Sequence, residues 1–165
     1  MNLYILRHAI AADKDSFDQP DSERPLTKEG SEKMRRIAKE LKKLKIEFDI
    51  ILSSPFRRAK ETAGIMAEEF HCEEILKFSP HLKVGGDPGE LIREINSSYK
   101  KSDSILLVGH EPYLSGLIST LVSGKKDLAI TMKKGGICKL SFGSLTYGRC
   151  ATLEWLMAPA QILGE

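Results

Sequence analysis

NLYILRH, residues 2–8, is a short apolar run that ends abruptly in a cation beside an imidazole. Its near-continuous apolar character reads as a strand over residues 2–7, covered on both faces. Two other segments have the same form. Phe48-Asp49-Ile50-Ile51-Leu52 runs into Ser53-Ser54-Pro55-Phe56-Arg57-Arg58, and Ile105-Leu106-Leu107-Val108 runs into Gly109-His110. Helical patterns separate these strands. Thr27 caps a predicted helix over about residues 28–45, whose Met34, Ile37, Ala38, Leu41 and Leu44 recur at helical spacing. Pro55 suits the first turn of a helix reaching about Phe70.

Working outward, residues 9–26 are polar with two prolines and form a long loop, a length that is often functional. Residues 75–78 read as a short strand, 79–90 as a Gly- and Pro-rich loop, and 91–99 and 113–122 as helices. The tail alternates apolar and polar residues around Gly143-Ser144, which predicts a β-hairpin. Strand–helix alternation followed by a hairpin predicts an α/β fold: a three-layer α/β/α sandwich with a mostly parallel central sheet. With 165 residues and no internal repeat or linker, residues 1–165 are expected to form one domain.

Composition excludes several classes. The 25 basic and 23 acidic residues give a formal charge of +2, too small to predict nucleic-acid or membrane binding, so any anion site must be local. Three cysteines without a CxxC spacing read as reduced thiols rather than a disulfide or zinc framework. No run approaches membrane-spanning length, and the N-terminus lacks a basic leader with a long apolar core. A cytoplasmic protein is expected.

In open α/β sheets, ligands bind beyond the carboxyl ends of the strands. The three strands above bring Arg7-His8, Ser54 with Arg57-Arg58, and His110 to that edge. Arginine forks match phosphate oxygens, and a helix N-terminus after Ser54 favours anions. Taken singly, each residue has an ordinary explanation: a capping histidine, solvated charge, a turn. Their convergence points to a phosphate pocket. A metal site is the weaker reading, because HExxH is absent and neither His8 nor His110 has carboxylates at ligand spacing. His71 and His81 lie in helix-end and loop contexts. Ser53-Ser54 lacks the GxSxG frame of a serine hydrolase, and Ser123-Gly124-Lys125-Lys126 fails as a P-loop.

At these positions the sequence resembles the histidine phosphatase superfamily, the phosphoglycerate-mutase-like fold. LRHA matches its Arg-His-Gly signature, ERPLTKEG its Arg-Pro-Leu-Thr segment, SSPFRRAKETA its Ser-Ser-Pro segment, and VGHEP its second histidine. The order is the family's. GGD at 85–87 and EWLMAP at 154–159 resemble the short bacterial phosphohistidine phosphatases. The resemblance implies that His8 is a nucleophile that becomes phosphorylated. It further implies that Arg7 and Arg58 bind the phosphoryl group, that His110 completes the pocket, and that Arg24 and Ser54 contact substrate. No metal or other cofactor is implied, because arginines and imidazole supply the stabilisation.

Two departures matter. Ala9 replaces the signature glycine and places a methyl near a crowded pocket. The acid that protonates the leaving group, which larger members draw from an inserted segment, has no obvious equivalent; Asp87 and Glu111 are the candidates. An alkoxide needs that proton far more than the imidazole leaving from a protonated phosphohistidine. The expected substrate is therefore a phosphohistidine-bearing protein, with phosphate or other oxyanions as pocket ligands. The alternatives are a small-molecule phosphomonoesterase or mutase with the same chemistry, and a catalytically silent phosphate-binding module.

Overall fold

A computed structural model describes all residues, 1–165. Six strands form one sheet: β1 (Asn2–Arg7), β2 (Ile50–Ser53), β3 (Leu76–Phe78), β4 (Ser104–Gly109), β5 (Ile137–Phe142) and β6 (Ala151–Met157). Their spatial order is β3-β2-β4-β1-β5-β6. The first four are parallel, and β5 runs antiparallel to both β1 and β6. Five helices accompany them: α1 (Lys28–Lys43), α2 (Arg57–Phe70), α3 (Pro88–Ser98), α4 (Tyr113–Ser123) and α5 (Pro159–Leu163). This is the α/β architecture expected from the sequence, with helices on both sides of a mixed sheet.

The period-2 alternation of strand side chains sorts the core into two layers. Leu3 and Ile5 of β1 join Ile105 and Leu107 of β4 on one face, under Leu91 and Ile95 of α3 and Leu114 and Ile118 of α4. Tyr4 and Leu6 join Leu106 and Val108 on the other, under Met34 and Leu41 of α1 and Ala63 and Met66 of α2. The β1–β4 register pairs Leu3 with Ile105 and Ile5 with Leu107, so both strands present the same parity to each layer. Each such leucine or isoleucine contributes about 1.5–3 kcal/mol by leaving water.

This topology creates the crevice. Adjacent strands β1 and β4 send their helices, α1 and α4, to opposite faces, and the chain parts just beyond their carboxyl ends. His8 and His110 are the next residues on those strands, and the His8 amide donates to the Gly109 carbonyl at 3.0 Å.

Several boundaries differ from expectation for identifiable reasons. β2 starts at Ile50 rather than Phe48, because the Asp49 carboxylate accepts the Asp103 and Ser104 amides, and the Phe48 ring packs between Tyr4 and Phe70. α2 starts at Arg57 rather than Pro55: Phe56 is extended, and its amide donates to Ser54 Oγ in a tight turn. α1 is capped by Thr27 as expected but ends at Lys43, leaving Leu44 exposed. The loop at 79–90 contains a 3-10 turn at 80–82 and the first turn of α3. The hairpin is present, but residues 143–150 join its strands, and α5 follows it. No helix is long and apolar enough to cross a membrane.

Candidate active site

The long loop after β1 is closed at its base. Ala12 N–H donates to Pro25 O at 2.9 Å and Thr27 N–H to Ile10 O at 3.0 Å. Gly30 lies against that crossing, and a Cβ there would come within 2.0 Å of the Ile10 carbonyl oxygen. The glycine of ERPLTKEG therefore lets the N-terminus of α1 touch the segment that carries His8. Ala9 itself is buried with the apolar layer beneath α1 and α2, and its backbone has no positive φ. The methyl packs into the core, so this position does not require glycine.

His8 is 4% exposed. Its Nδ1 lies 2.8 Å from the Ala9 carbonyl oxygen, which only accepts, so Nδ1 carries the proton. Nε2 is left as a lone pair, and it accepts a hydrogen bond from Arg58 Nε at 3.3 Å. Burial pushes the His8 pKa down to about 3, with the His110, Arg58 and Arg7 side chains acting in the same direction and the Ala9 hydrogen bond opposing. The ring is neutral at physiological pH, which is the form a nitrogen nucleophile requires.

Arg58, 3% exposed, sits one helical turn before Thr62 on α2. Thr62 Oγ1 donates to the Arg58 carbonyl at 2.7 Å and accepts the Ala9 amide at 3.0 Å, tying the helix to the segment that follows His8. The neighbouring Arg57 points to solvent and pairs with Glu61 at 2.7 Å. Arg7 ends β1, and its Nη1 donates to the Met132 carbonyl at 2.8 Å while its Nε is buried without a partner.

His110, 2% exposed, stands with its ring centroid 5.2 Å from that of His8. Its Nε2 is 2.7 Å from Ser54 Oγ, and its Nδ1 is buried without a partner. The Phe56 ring packs edge-on against it at 5.3 Å and under the Arg58 guanidinium at 5.4 Å. Burial, with Arg58 beside it, pushes the His110 pKa down to about 3. Four of the sequence-derived residues, Arg7, His8, Arg58 and His110, thus converge at the crevice. The chemistry of such a group is that of an oxyanion pocket around a neutral imidazole.

The other candidates sit differently. Ser54 is wholly buried, and its hydroxyl is engaged by His110 and the Phe56 amide. Arg24 donates to Asp21 Oδ1 at 3.1 Å and to the Ala12 carbonyl at 2.9 Å, and it reaches His8 only through Asp21 and Arg58. Asp87 is the N-cap of α3; the Glu90 and Gly89 amides hold its carboxyl below the usual range, which suits a cap rather than a proton donor. Glu111 accepts the Ser115 amide at 2.8 Å and lines a cleft of about 430 Å³ with His110, Gly85, Gly86, Tyr113 and Lys126. No three His, Cys, Asp or Glu side chains converge as a metal ligand set.

Two residues escaped the sequence reading. Asp21 bridges Arg24 and Arg58, its Oδ2 accepting from Arg58 Nη2 at 3.0 Å. Its spacing of three from Arg24 was visible, but the path by which a long loop returns to α2 was not. Thr62 was findable by helical spacing, four residues after Arg58.

The family model of the histidine phosphatase superfamily (branch 1) matches residues 3–82. An uncharacterized protein of Picosynechococcus sp. is 32% identical over 151 residues, 87% of each chain. The phosphohistidine phosphatase SixA of Escherichia coli is 29% identical over 163 residues, 98% of this chain and 96% of its own. A solved structure of the protein histidine phosphatase SixA complexed with tungstate superposes with a TM-score of 0.83 at 28% identity, covering 98% of this chain and 99% of that one. The chain belongs to the histidine phosphatase superfamily and is a phosphatase enzyme.

Proposed function

We propose that the protein is a metal-independent phosphatase that hydrolyses phosphohistidine on a protein substrate, working in the cytoplasm as a single domain spanning 1–165. The observation that carries this reading is the state of His8: Nδ1–H is fixed on the Ala9 carbonyl, so the lone pair of Nε2 stands among Arg7, Arg58 and His110. The likeness to SixA, over nearly the whole of both chains, supports the substrate class.

In the first step His8 Nε2 attacks phosphorus, a new N–P bond forms, and the P–N bond of the substrate breaks. The departing imidazole leaves neutral, because the phosphohistidine ring already carries a proton. In the second step water attacks the phosphoryl group, the His8 N–P bond breaks, and phosphate departs. Arg7, Arg58 and His110 stabilise the equatorial oxygens in both transition states. The two guanidinium groups supply the charge that a metal would otherwise supply, and neutral His110 adds a hydrogen bond.

A second reading is a phosphomonoesterase with the same nucleophile. Glu111 favours it, since a carboxyl group in the cleft beside His110 is suited to protonate an alkoxide. The deciding experiment is phosphate release from a phosphohistidine-bearing protein in EDTA, by wild type and by His8→Ala, beside a panel of phosphomonoesters. Release by wild type alone supports the proposal. Equal release by His8→Ala overturns the nucleophile, and faster turnover of simple monoesters overturns the substrate class.

A further inference from the structure

We infer that Ser54 is a positioning residue that sets the tautomer of His110, so that this imidazole, while neutral, presents Nδ1–H as a hydrogen-bond donor in the phosphoryl pocket. The inference deepens the pocket reading above and rests on it for its catalytic consequence.

The argument is a count of protons. Ser54 is wholly buried, so its hydroxyl finds partners only within the protein. One partner is the Phe56 amide, 3.2 Å away, which can only donate. The other is His110 Nε2 at 2.7 Å. The hydroxyl has one hydrogen, and Nε2 is the acceptor within reach. The opposite arrangement, Nε2–H donating to Oγ, would strand a buried hydroxyl hydrogen, and buried polar groups are rarely left so. With Nε2 accepting, a neutral ring carries its hydrogen on Nδ1, the nitrogen that is buried and unpartnered.

A cationic ring would also offer Nδ1–H, but burial disfavours it most, and Arg58, Arg24 and Arg7 act in the same direction against the opposing charge of Asp21. The two histidines therefore carry the same tautomer for opposite purposes. In His8 a carbonyl holds Nδ1–H so that Nε2 can attack. In His110 a hydroxyl holds Nε2 so that Nδ1 can donate. Ser54 touches neither phosphorus nor its oxygens in this scheme; it acts through His110.

The test is nitrogen NMR of protein labelled with ¹⁵N-histidine at neutral pH, with signals assigned from His8→Gln and His110→Gln. In wild type, His110 should show a protonated Nδ1 and a bare Nε2, and inorganic phosphate should move the Nδ1–H signal. In Ser54→Ala that preference should be lost, and kcat/KM should fall about tenfold with the His8 signals unchanged. Ser54→Thr, which keeps the hydroxyl, should restore both. A wild-type His110 protonated on Nε2, or on both nitrogens, overturns the inference without any variant. So does an unaltered tautomer in folded Ser54→Ala. A protein that shows the expected His110 signature yet releases no phosphate from phosphohistidine supports the Ser54 assignment and sinks only the proposed substrate.

Discussion

Asp21 holds Arg58 by both terminal nitrogens, accepting from Nη2 on its carboxylate at 3.0 Å and from Nη1 on its backbone carbonyl at 2.8 Å. Each terminal nitrogen keeps a second N–H, while Nε–H is the one directed at His8 Nε2, at 3.3 Å. Asp21 thus fixes which edge of a five-donor group meets His8. Asp21→Asn, which keeps shape but removes charge, should lower kcat/KM about tenfold to a hundredfold, the cost of weakening a charge-assisted hydrogen bond. Unchanged or improved kinetics would show that Asp21 competes with the phosphoryl group for Arg58 instead of aiming it.

The two buried histidines make stability depend on pH. Each has a folded pKa of about 3, against 6.5 for the free side chain. Between those values the unfolded chain binds protons that the folded chain refuses, so their contribution is complete above about pH 6.5 and declines as pH falls toward 3. Urea midpoints should drop across this window more steeply for wild type than for a variant with both histidines replaced by asparagine. Parallel curves would mean that these rings titrate normally. For the same reason, the acid limb of kcat/KM should lie below about pH 5 rather than near 6.5.

Gly30→Ala should destabilise the protein by about 1–3 kcal/mol, because the new methyl meets the Ile10 carbonyl at 2.0 Å and that contact is backbone. Activity should fall further than stability alone explains, since Ile10 is two residues from His8. Thermal unfolding and kinetics on the same preparation separate the two effects. A variant as stable and active as wild type would mean that α1 shifts freely.

Glu111→Gln should reduce turnover of alkyl phosphates much more than turnover of phosphohistidine, because only the former leaving group needs a strong proton donor. Equal losses on both substrates would assign Glu111 to holding the first turn of α4, through the Ser115 amide, rather than to acid catalysis.

Much of this was legible in the chain because the signals were local. The runs LYIL and ILLV and their polar endings sufficed to place His8 and His110 at one edge, since strand parity and the carboxyl-edge rule need no long-range information. Arg58 rather than Arg57 followed from a family pattern. In the structure Arg58 is buried on the helix face that carries Thr62, while Arg57 lies outside and pairs with Glu61. Asp21 was not legible, because nothing within residues 9–26 reveals where an 18-residue loop folds back. The start of α2 was missed for a different reason. Proline at a helix start is a common pattern, yet here the Ser54 turn takes the Phe56 amide and delays the helix. That turn brings Ser54 Oγ under His110, so the misplaced boundary and the unanticipated role of Ser54 have one cause.

Thr62 has a consequence for motion. Because its hydroxyl joins the Arg58 carbonyl to the Ala9 amide, α2 cannot rock without dragging the backbone that carries His8. A displacement of the first turn of α2 is therefore passed to the backbone beside His8, and the reverse.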